Sequence, residues 1–92
     1  MRSLKQKRYL NINNLVIGEY YSFFLRKRER EWVCMFEGIS DGRVYTSISY
    51  CIQMGCLLTS ISPLCYLESI NRIERPNKSI LIEVKRKSNE IR

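Results

Sequence analysis

The sequence predicts a mainly β protein: a small antiparallel barrel of about five strands, a strongly bent sheet closed on itself, with one short helical turn and a basic C-terminal tail. Three observations carry that expectation. Short runs of aromatic and β-branched residues recur along the chain, an Asp-Gly pair separates two of them, and only one stretch begins like a helix.

The first run, "LVIGEYYSFFL" from Leu15 to Leu25, is too short and too rich in rings to favour a helix, so a strand is expected from about Glu19 to Arg26. In "EWVCMFEGI", Trp32, Cys34 and Phe36 fall on one face and Val33 and Met35 on the other, the pattern of a central strand covered on both sides. "SDGR", Ser40 to Arg43, supplies a tight hairpin turn, because Asp41 and Gly42 tolerate the positive backbone angles it requires. In the strand that follows, "RVYTSISYCI", Val44, Thr46, Ile48, Tyr50 and Ile52 are expected to share one face. The charged block "RKRERE", Arg26 to Glu31, then connects the first two strands at the end away from the Asp-Gly turn.

Further on, Ser62-Pro63 reads as an N-cap followed by proline at the first helical position, which predicts a helical turn from Pro63 to about Glu68. After the break at "RPNK", the alternation in "SILIEVKRK" predicts a last strand, and a frayed basic tail over about 86–92. A basic arm is expected over about residues 1–10.

Ninety-two residues without an internal repeat or a long linker make one domain, 1–92. Sixteen Lys and Arg against nine Asp and Glu give a formal charge of +7, which points to polyanions or acidic proteins as partners. Histidine is absent, removing the commonest general base and nitrogen ligand, and no cofactor or enzymatic activity is expected. No apolar run has the length of a signal peptide or a membrane span, so a cytoplasmic protein with no membrane partner is expected.

The phrase "NINNLVIGEY", the Phe36-Glu37-Gly38-Ile39 strand end, the Asp-Gly turn and "LESINRIERP" together resemble small SH3-like barrels of the Tudor and KOW type. They look especially like short proteins of phages and mobile elements, with the likeness centred on Leu15, Ile17, Gly18 and Tyr20. The resemblance implies a binding module: a nucleic-acid binder, or an inhibitor of host nucleic-acid machinery such as an anti-CRISPR protein. This chain carries "RKRERE" where a KOW barrel has a glycine-rich loop.

Arg26, Lys27, Arg28 and Arg30 of the block, together with Arg43, are candidate phosphate contacts, with Lys85, Arg86 and Lys87 in support. Tyr20 and Tyr21 are the stacking candidates, because one of two adjacent strand residues points away from the core. The bland reading makes the block a solvated hairpin tip, and Glu29 and Glu31 also suit a protein partner of mixed charge. Cys34, Cys51, Cys56 and Cys65 lack a C-x-x-C pair and read as free thiols rather than zinc ligands. The charge-poor stretch Val44 to Asn71 offers Met54, Leu57, Leu58 and Tyr66 as an apolar patch for a protein partner or a homodimer. The leading expectation is a non-enzymatic module acting on nucleic acid or on the nucleic-acid groove of a ribonucleoprotein. The alternative is a small inhibitor that docks on a host nuclease or effector complex.

Overall fold

The Asp-Gly turn forms where the sequence places it, joining strands Glu31–Ser40 (β2) and Arg43–Cys51 (β3) with φ of +53° at Asp41 and +72° at Gly42. These angles belong to a computed structural model that describes residues 10–91, apart from the side chains of Arg28 and Ile91. A side chain at Gly42 has open space but an unfavourable backbone angle. Gly42→Val is therefore expected to lower stability by about 1–2 kcal/mol, read as a shift in urea midpoint.

Strand Tyr20–Leu25 (β1) pairs antiparallel with β2. Strands Cys56–Leu58 (β4) and Ser62–Tyr66 (β5) lie one after the other along the far edge of β3. The last strand, Ile70–Glu74 (β6), returns through a 3-10 turn at Leu67–Ser69 to pair with β1. The result is a six-stranded antiparallel sheet in the order β4-β3-β2-β1-β6, with β5 also on β3; among the described residues no ladder joins β5 to β6.

Two irregularities bend the central hairpin. The β2–β3 register skips Glu37 and Ser47, and the two skipped residues bond each other, Ser47 Oγ donating to Glu37 Oε2 at 2.6 Å. This shift corrects the expectation that Val44 to Ile52 share a face. Val44 packs in the cluster of Tyr21, Phe23, Cys34, Phe36 and Ile73, whereas Ile48 joins Val33 on the other side. Buried Thr46 and Ser49, brought to the same face by the bulge, satisfy each other at 2.5 Å.

The two-sided character of β2 is as expected, but the cover on its second face is a helix. Lys78–Ile91 (α1) stands where a last strand and a frayed tail were expected. The stripe Ile80, Val84, Ser88 has helical spacing, and Asn77 caps the first turn by accepting from Ser79 N at 2.8 Å. Fully buried Val84 sets this helix on Val33 and Ile48, with Tyr20, Met35, Tyr50, Ile52 and Leu57 packed around them. The helical turn expected from Pro63 is also corrected: Ser62–Tyr66 is strand, held in register by Arg43 to Thr46, and only Leu67–Ser69 turns.

The opposite face encloses the aromatic cluster, with Leu10, Ile12 and Leu15 packed against it. Asn11 caps the 3-10 turn Ile12–Asn14 by accepting from Asn13 N, and Gly18 at φ +93° turns the chain into β1. The basic arm expected over residues 1–10 lies outside the described residues except for Leu10, whose N–H donates to Ile73 O at 2.8 Å on β6.

Candidate nucleic-acid interface

The block Arg26 to Glu31 forms the β1–β2 connection, closed by Leu25 N donating to Arg30 O at 2.9 Å around a 3-10 turn, Lys27–Glu29. Glu29 has φ of +45°, a left-handed conformation rare outside glycine. Arg26 is anchored twice: its backbone N–H donates to Ser69 O at 2.9 Å and its Nε to Glu68 O at 3.1 Å. Arg30 is half-buried and its guanidinium touches Met54 Sδ, while Glu31 N donates to Gln53 Oε1 at 2.9 Å. The connection is thus tied to two neighbouring loops through Arg26, Arg30 and Glu31.

Beside it lies a groove of about 530 Å³ lined by Phe24, Leu25, Arg26, Glu29, Asn71 and Arg72. Phe24 and Arg72 are in register on β1 and β6, and the Arg72 guanidinium lies over the Phe24 ring, 3.9 Å from its centroid. Glu74 Oε2 accepts from Arg72 Nε at 2.7 Å and helps fix the stack.

Arg43 belongs to the other end of the β2–β3 hairpin, yet the bend of the sheet brings both ends to one turn. Gly42 O accepts from Leu67 N, and Ser69 O accepts from Arg26 N, at either end of Leu67–Ser69. Arg43 donates to Tyr66 Oη at 3.0 Å and its guanidinium carbon sits 5.0 Å from that ring's centroid. The Tyr66 hydrogen bond raises the Arg43 pKa above its ordinary value, so this cation stays charged at any working pH. Arg26 and Arg43 therefore flank the same short turn, with Tyr66 exposed between them.

Other expected contacts lie elsewhere. Tyr21 is 2% exposed, accepts from Val16 N at 2.9 Å and packs edge-on to Phe36, so it is core and has no face open for stacking. Tyr20 points to the outer face but is half-buried beside α1, with Lys85 Nζ 5.7 Å from its ring centroid. Lys85, Arg86 and Lys87 stand on α1 instead of on a tail. Glu90 and Glu83 hold Arg86 at 2.7 and 3.3 Å, and Lys87 lies 3.6 Å from Glu83. The Arg86 hydrogen bond holds the Glu83 carboxyl below its usual range, and the pairing blunts Arg86 and Lys87 as candidate phosphate contacts. By contrast Arg26, Lys27 and Arg30 make no ion pair among the described residues. Arg28 lies in the same turn, but its side chain is outside the described residues.

The apolar alternative is divided. Leu57 is packed in the cluster beneath α1, Met54 contacts Arg30, and Tyr66 stands with Arg43. Leu58 is exposed, as are Ile39 and Ile61, which line a second groove of about 370 Å³ with Tyr45. Sequence reasoning missed Phe24, Asn71 and Arg72, because their meeting depends on β6 pairing with β1 across more than forty residues of chain. No metal-holding group of His, Cys, Asp or Glu occurs among the described residues, and none of their helices is long and apolar enough to cross a membrane. Comparison with protein-family models, curated proteins and solved structures finds no match.

Proposed function

We propose that this chain is a non-enzymatic binding module of SH3-like type that acts on nucleic acid through the β1–β2 connection. The observation that carries the reading is the contrast between Arg26, Lys27 and Arg30, which make no ion pair among the described residues, and Arg86 and Lys87 of the helix, which are paired with glutamates. Cations held in place without a carboxylate partner are the groups that gain most from meeting a phosphate. The barrel reading is supported by the strand order, in which the last strand returns to the first through a 3-10 turn.

If the four bases of the connection each meet a phosphate, log affinity against log salt should fall with a slope of about −3.6 on duplex DNA and about −2.8 on a single strand. Fluorescence anisotropy with labelled oligonucleotides measures this slope. Arg26→Gln should reduce it by about 0.9 on duplex. A flat salt profile, or no binding to either probe, excludes the reading.

A second reading rests on a different observation: Ile39 and Ile61 are 41% and 69% exposed and line a groove with Tyr45. Apolar and aromatic side chains left open in this way suit a protein partner, as an inhibitor docked on a nuclease requires. A partner retained after nuclease treatment, and lost on Ile61→Asp, would favour this reading over the first.

A further inference from the structure

We propose that the Phe24–Arg72 groove takes one unpaired nucleobase, making the module selective for single-stranded over duplex nucleic acid; this rests on the nucleic-acid reading of the neighbouring connection. A guanidinium plane is a stacking surface for a base, and here Phe24 lies beneath it at 3.9 Å while Glu74 bonds its Nε at 2.7 Å. The Arg72 side chain is 31% exposed, so it is backed by protein while part of it reaches solvent.

The groove's composition favours a base over a phosphate as its occupant. Glu29 stands in the lining and repels a phosphodiester, and its carboxylate is an acceptor for the exocyclic amine of adenine or cytosine. Asn71 adds an amide with both donor and acceptor atoms. Arg26 lines the same groove, and Lys27 follows it in the chain, so cations for the flanking phosphates stand next to the base site. A base within a duplex is stacked on both faces and cannot enter without being flipped out. The single strand meets no such cost.

The test compares a labelled oligodeoxyadenylate with a duplex of equal length at one salt concentration, using wild type, Arg72→Lys, Phe24→Leu and Arg26→Gln. Wild type should bind the single strand about tenfold more tightly. Arg72→Lys keeps the charge but removes the plane, and should erase that preference while leaving duplex affinity and its salt slope in place. Phe24→Leu should erase it in part, whereas Arg26→Gln should weaken both probes alike. Circular dichroism of each variant identifies any that fails to fold. Equal wild-type affinity for both probes, or a preference that survives in folded Arg72→Lys, overturns the base site while the polyanion reading stands. No binding to either probe overturns both.

Discussion

Val84→Asp is expected to destabilise the protein by about 3–5 kcal/mol, because it places an unpaired carboxylate where the side chain has no solvent contact. Among the described side chains of α1, Val84 is the one fully buried apolar residue, and it holds the helix on Val33 and Ile48 over the outer face of the sheet. Detaching α1 would bare Tyr20, Met35, Tyr50, Ile52 and Leu57 together. A domain of this size has a total stability on the order of 5–15 kcal/mol, so the variant should lose much of its margin. Urea denaturation gives the midpoint, and the helical circular dichroism signal should fall with it. Ile82→Asp is the control: Ile82 is 66% exposed on the same helix, and its replacement should change the midpoint by about 0.5 kcal/mol or less. Equal effects of the two changes would show that the helix does not pack through the Val84 face.

The same helix marks the limit of what the sequence discloses. Ile80, Leu81, Ile82, Glu83, Val84 and Lys85 satisfy a strand alternation as well as a helical one, since a short apolar run fits both periods. The deciding signals were local: Asn77 at the cap, and the Glu83–Lys87 and Arg86–Glu90 pairs at four-residue spacing. Ser62-Pro63 misled in the other direction, because cross-strand pairing with β3 overrides a helix-start signal of two residues. The Asp-Gly hairpin and the two-faced β2 were legible because turn chemistry and alternation agree there. The charged connection was legible as a place, but its groove was not, since Arg72 reaches Phe24 only through long-range pairing.

Charge is distributed differently from what the total implies. Residues 10–91 carry eleven Lys and Arg against nine Asp and Glu, so most of the +7 belongs to Arg2, Lys5, Lys7, Arg8 and Arg92. Residues 10–91 therefore attract a polyanion only weakly by net field alone. What remains to them is placement: Arg26 anchored on Glu68 and Ser69, Arg43 on Tyr66, and Arg72 on Phe24. Under the proposed function, fixed cations of this kind would give orientation and selectivity.

Raising the pH from 9 to 11 is expected to weaken the fold by about 2 kcal/mol through Cys34 alone. Burial pushes this thiol from 9.0 up to about 12, because its thiolate would be stranded among Tyr21, Phe23 and Phe36. In the unfolded chain the same thiol ionises near 9.0, so above that pH the unfolded state sheds a proton that the folded state retains. The stabilisation is complete below pH 9, falls by about 1.4 kcal/mol for each further pH unit, and levels off near the folded value. Burial also raises Cys65 to about 11, which adds in the same direction, less strongly because that side chain is only half-buried. Tyrosines and lysines titrate in the same range, so the diagnostic quantity is a difference. Urea midpoints of wild type and Cys34→Ala should lie furthest apart at pH 8 and draw together by pH 11. Parallel profiles would mean that Cys34 ionises as readily in the folded protein as in the unfolded chain, and would remove it from the closed interior on which the fixed positions of the neighbouring strands depend.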